Sequence, residues 1–198
     1  MLYINGLEGG GLVYFLRSIS EDVRTAQFEF RKQTKAKRLV LGSFLSCMAV
    51  ILQGAGEWLP GIGYFVSPFA TLPILIGAMF SFQMGALSYA LTILLLFILF
   101  PSELIIFPFT TGLLGMGTGA AFSFFKKRLT IISIGAICLT LGIMILLSVF
   151  HFPVLGSAVS VSFSFHTAGS VFLFSFLYSL LWVEMGLFFF KRIGRFFS

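Results

Sequence analysis

Residues 126–150 read Lys126-Lys127-Arg128 followed by LTIISIGAICLTLGIMILLSVF, three positive charges and then 22 residues without a charge. An α-helix rises 1.5 Å per residue, so roughly 20 apolar residues cross the hydrocarbon core of a bilayer. The uncharged run continues to Val183, 55 residues in all, which is too long for one helix and suits two. The stretch from His151-Phe152-Pro153 to Ser164 is rich in Ser and Gly and is the natural connector between them.

The same pattern repeats toward the N-terminus. Arg31, Lys32, Lys35, Lys37 and Arg38 precede an uncharged run from Leu39 to Gly56, and Trp58–Ser102 is uncharged again. Ser81-Phe82-Gln83-Met84-Gly85 is its most polar point and marks a turn. Leu104–Phe125 forms another uncharged run, with Pro108 in its first turns, where a missing N–H is tolerated. The expected fold is an all-α membrane protein with helices at about 38–54, 64–81, 84–100, 104–125, 129–150 and 166–190. Composition agrees: 58% of residues are hydrophobic, 10% are charged, and the mean hydropathy is +1.04. A soluble domain of 198 residues could not cover its surface with so few charges.

With six spans, the basic blocks at 31–38, 126–128 and 191–195 fall on one side. The opposite loops, 54–63, 101–103 and 151–164, hold no Lys or Arg. Cationic loops stay in the cytoplasm, so both chain ends are expected there. Five or seven spans would divide the basic blocks between the two sides. The net charge of +6 thus reads as topology rather than as a nucleic-acid surface. Residues 1–37 are expected to be a cytoplasmic segment, 38–192 the membrane domain and 193–198 a short cytoplasmic tail. No cleavable signal peptide is expected, since no small-residue cleavage site follows an apolar core in the first forty residues. Leu12, Phe15, Leu16, Ile19, Val23 and Phe30 recur at near-helical spacing. They predict an amphipathic helix that lies on the bilayer or on a partner, or a leader ordered only in a complex.

No catalytic constellation, nucleotide-binding loop or metal-ligand spacing is present, so the chain is expected to be no enzyme and to need no cofactor. Cys47 and Cys138 sit in apolar runs as small packing residues. The residues that invite a ligand lie on the outer side: Glu57, Trp58, Tyr64, Glu103, His151 and His166. Carboxylates beside aromatic rings suit a cation or a donor-rich ring, and no fixed positive charge is there to hold an anion. A solvated Glu beside an interfacial Trp, and histidines at the water interface, are the ordinary alternatives. Glu184 lies about two turns before Lys191, where it snorkels or pairs with a base. Small residues permit close helix approach in lipid. Gly112, Gly115 and Gly119 are expected to pack helices. Gly42, Ser46 and Ala49 form a stripe on helix one expected to dock a partner protein.

The segments 38–41 (Arg38-Leu39-Val40-Leu41), 49–53 (Ala49-Val50-Ile51-Leu52-Gln53), 68–76 (PFATLPILI), 85–87 (Gly85-Ala86-Leu87) and 111–119 (TGLLGMGTG) follow one another in an order that resembles the substrate-binding S components of energy-coupling factor (ECF) vitamin transporters. The resemblance covers roughly 38–192. It implies a bacterial plasma-membrane protein that binds a vitamin-like molecule near its outer face. It also implies docking, through helix one, on a transmembrane coupling protein joined to two ATPase subunits. The family often carries two alanines four apart in helix one, where this chain has Gly42 and Ser46. The long N-terminal segment is also unusual for the family. The six-helix pattern resembles, more distantly, bacterial cell-shape proteins of the MreD type. That resemblance implies a scaffold that binds another membrane protein and transports nothing.

The topology has a direct check. A cysteine placed in the 126–128 loop of a cysteine-free protein is expected to react with a membrane-impermeant maleimide only after the membrane is opened. Labelling in intact cells would overturn the cytoplasmic assignment.

Overall fold

The computed structural model describes residues 27–59, 61–152 and 165–194, and the regular elements among them are helices. Helix α1 spans Lys35–Trp58. The short α2, Gly63–Val66, continues through a 3₁₀ turn at Ser67–Ala70 into α3, Thr71–Phe80. Then follow α4 (Phe82–Leu99), α5 (Glu103–Phe109), α6 (Thr111–Phe124), α7 (Arg128–Ser148) and α8 (Phe165–Gly194). Joined end to end where they abut, they make six helices among the described residues that are long and apolar enough to cross a membrane: Lys35–Trp58, Gly63–Phe80, Phe82–Leu99, Glu103–Phe124, Arg128–Ser148 and His166–Phe190. The protein is therefore an all-helical chain with six candidate membrane spans. The expected amphipathic helix falls mostly outside the described residues. Its end, 27–32, is helical, and Phe30 is buried against Phe80 with ring centroids 4.8 Å apart.

Local signals set the helix ends. Thr34 is extended, and its hydroxyl accepts from the Lys37 N–H, so α1 begins earlier than its uncharged run. Ser81 alone is extended between α3 and α4, a one-residue reversal. The fourth span is broken. Pro108 lies inside α5, and Thr110 (φ −118°, ψ −97°) leaves helical geometry before α6 starts. A backbone break inside a bilayer needs substitute hydrogen bonds. The Tyr89 hydroxyl donates to the Pro108 carbonyl (3.0 Å), and Thr110 Oγ1 donates to the Ile106 carbonyl (2.8 Å).

At the centre stands α3, almost wholly buried, in contact with α1, α4, α6 and α8. The α6 helix reaches it through glycines. A Cβ on Gly115 would stand 2.8 Å from the Thr71 carbonyl oxygen, and one on Gly119 would stand 2.8 Å from the Leu75 carbonyl oxygen. Gly112 lies against the rings of Phe107 and Tyr89. Large apolar side chains such as Phe97 and Ile98 of α4 and Leu173 and Leu177 of α8 face outward, as a lipid solvent allows. Glu184 of α8 pairs with Arg128 at 2.9 Å, joining the first turn of α7 to the late part of α8.

The stripe Gly42, Ser46 and Ala49 faces inward rather than toward a partner. Ser46 and Ala49 are fully buried. Ser46 Oγ lies within hydrogen-bond distance of both the Gly42 carbonyl (2.8 Å) and the Ser88 carbonyl (3.1 Å), while Ser88 Oγ donates to the Gly42 carbonyl (3.1 Å). Small residues do mark a close approach here, but α4 of the same chain makes it. Overfilling a packed core costs about 1–3 kcal/mol or more. Ser46→Trp is therefore expected to destabilise the isolated chain. A thermal-unfolding midpoint equal to that of the unaltered protein would contradict this packing.

Candidate ligand cavity

Gln53 interrupts the apolar sequence of α1 near its C-terminal end, and it is buried. A buried amide must be satisfied. Its Nε2 donates to Glu103 Oε2 at 2.7 Å, and its Oε1 accepts from Thr111 Oγ1 at 2.8 Å. Three helices are thereby joined: α1, the first turn of α5 and the first turn of α6. Glu103 is only 8% exposed. Its Oε1 lies beside Gly56 and takes no hydrogen bond among the described residues, so the carboxylate keeps acceptor capacity.

This network forms one wall of a cavity of about 520 Å³. Tyr64 and Pro68 come from the second span, Thr110 from the break in the fourth, Ile143 from α7, and Phe174 and Tyr178 from α8. The broken span puts the Thr110 and Thr111 side chains and the start of α6 at the wall. The volume lies in the range of small-molecule sites, which are mostly apolar with a few placed polar groups. Among the described residues, the one charged side chain in the lining is Glu103. Charge balance thus favours a cation or a neutral molecule with donors, and the aromatic rings supply stacking faces.

Chain direction fixes the end of the bundle where the cavity lies. Its residues come from the C-terminal part of α1, the N-terminal turn of α5, the C-terminal half of α7 and the N-terminal half of α8. Arg31–Arg38, Lys126–Arg128 and Arg192 cluster at the other end.

Of the residues expected to meet a ligand, Tyr64 and Glu103 line this cavity. The other four do not. Glu57 is exposed one helical turn beyond Gln53. Trp58 is 65% exposed and packs edge-on against Phe100, with ring centroids 5.4 Å apart. His151 is exposed and turns the chain after α7 with φ 51°, and His166 is exposed at the start of α8. The sequence reading missed Gln53, Thr110, Thr111 and Tyr178. A lone amide inside an apolar span was the available signal for Gln53. No group of three or more His, Cys, Asp or Glu among the described residues could hold a metal ion.

Removing one partner of a buried polar pair costs more than replacing both. Gln53→Leu is expected to destabilise the protein by about 1–3 kcal/mol. The double variant Gln53→Leu/Glu103→Leu should recover part of that loss. Additive effects in a double-mutant cycle would show that the two side chains do not interact.

Comparison of the chain with protein-family models, with curated proteins and with solved structures returns no match.

Proposed function

We propose that this chain is the membrane-embedded substrate-binding subunit of an ECF-type uptake transporter in a bacterial plasma membrane. Its cargo is a cationic or neutral ring-containing nutrient of vitamin type. The observation that carries this reading is the cavity: a carboxylate held by Gln53, set among aromatic rings, at the end of the bundle away from the basic residues. If that end faces outward, as the positive-inside rule requires, a nutrient enters from outside without crossing the membrane. The sequence holds no nucleotide-binding loop, so the energy comes from partner ATPases through a coupling protein. Glu103 replaces Glu57 as the proposed anchor, because Glu103 faces the cavity and Glu57 does not.

A second reading is a membrane scaffold of the MreD type with no transported ligand. It draws on one observation: the helix-one stripe that would dock a coupling protein is already filled by α4. The two readings differ over whether the cavity binds anything.

Calorimetric titration of the purified protein against vitamins and their precursors separates them. A cationic or neutral ring compound is expected to bind. Glu103→Gln should weaken binding roughly ten- to a hundredfold, since a charge-assisted hydrogen bond contributes about 1.5–3 kcal/mol. Glu57→Gln should change it little. Tight binding of a polyanion, or full affinity in Glu103→Gln, would defeat the proposal. Absence of any ligand, with a cell-envelope protein co-purifying, would favour the scaffold.

A further inference from the structure

A second, smaller hollow of about 260 Å³ lies at the opposite end of the bundle, where α1 and α4 begin side by side. Lys35, Arg38, Ser81, Gln83, Leu39 and Leu87 are among the residues around it. Among the described residues it shares none with the cavity described above.

The chemistry of the lining is two-sided. Lys35 and Arg38 supply two positive charges, and among the described residues no acidic one borders the hollow. Two other cations are paired within the chain, Lys32 with Glu29 at 2.7 Å and Arg128 with Glu184 at 2.9 Å, whereas Arg31, Lys37, Lys126 and Lys127 have no acidic partner among the described residues. Lys35 and Arg38 have no acidic partner among the described residues. Ser81 is extended at the start of α4, and its side chain makes no capping bond, which leaves a hydroxyl and the first-turn N–H groups to meet an anion. Apart from Gln83, the rest of the lining is apolar. Leu39 is 55% exposed and Leu87 43% exposed, both on the outer surface of membrane-spanning helices. Hydrated phosphate would gain from the cations but not from these leucines. A phosphate joined to acyl chains gains from both.

We propose that this hollow is a binding site for an acidic phospholipid. Lys35 and Arg38 hold its headgroup phosphate, and an acyl chain lies along Leu39 and Leu87. The position suits the ligand: the hollow lies at the ends of two spans, on the side that carries the basic blocks, where acidic headgroups meet juxtamembrane cations. The α1–α4 contact through Gly42, Ser46 and Ser88 starts directly beside it, so a bound lipid would clamp the same helix pair.

The test is native mass spectrometry of the full chain in neutral detergent, titrated with phosphatidylglycerol, phosphatidylcholine or glycerol phosphate. Phosphatidylglycerol is expected to be retained in preference to phosphatidylcholine. Lys35→Gln/Arg38→Gln should weaken its retention roughly thirtyfold, and the exposed Lys35→Gln alone roughly fivefold, which keeps the test open if the double variant folds poorly. Lys126→Gln/Lys127→Gln removes the same charge from the same side and should leave retention unchanged. Leu87→Ser should weaken phosphatidylglycerol and not glycerol phosphate. Equal losses in the 35/38 and 126/127 variants would mean diffuse surface charge and would overturn the site. Glycerol phosphate bound as well as the lipid would mean a free phosphate ligand and would overturn the lipid assignment.

Discussion

A carboxylate inside an apolar helical bundle is stable only where donors hold it, and the 2.7 Å hydrogen bond from Gln53 to Glu103 is the interaction on which the rest of the site depends. It connects α1 to α5. The Thr111 hydroxyl, donating to the same amide, extends the connection to α6. Each member fixes the next: the amide is oriented by the Thr111 donor, and the carboxylate by the amide. A network of this kind is rigid when complete and costly when broken. It also explains why a cavity persists. Three helix ends are tied together by polar side chains at one wall instead of being filled with apolar ones.

The surrounding bundle supplies the room. Glycines at 115 and 119 let α6 lie against the backbone of α3, and the Ser46–Ser88 contact does the same for α1 and α4. The break at Pro108–Thr111 places Thr110 and Thr111 at the cavity wall, and the Tyr89 hydroxyl donates to the Pro108 carbonyl.

Hydropathy made the six spans legible, because charge is so costly in hydrocarbon that long uncharged runs have few other uses. Their limits in the structure fall close to the expected ones, and α1 extends further at both ends because Thr34 caps it and Gly54–Trp58 remain helical. The break in the fourth span was less legible. Pro108 was read as harmless in a first turn, yet Thr110 leaves helical geometry two residues later. Small residues announced close approaches without saying which helix approaches. Gly115 and Gly119 meet α3, and the Gly42–Ser46 stripe meets α4 rather than another protein. The carboxylates Glu57 and Glu103 look alike in sequence, each in a loop expected on the outer side. Glu57 lies one turn past Gln53 and emerges from the bundle, whereas Glu103 starts a helix whose first turn faces inward. That difference is tertiary, since it depends on how far α1 extends beyond its neighbours.

A nutrient site at Glu103 requires that the cavity open on the side away from the basic residues and take a small molecule. Ser67 lines it without belonging to the Gln53–Glu103 network. A Ser67→Cys variant in a background lacking Cys47 and Cys138 probes that wall directly, with a membrane-impermeant maleimide applied to intact cells. Labelling from outside is expected, slowed by a ring-containing cation that the purified protein binds. Labelling only after the membrane is opened, or labelling indifferent to such a ligand, would contradict a nutrient site open to the outside.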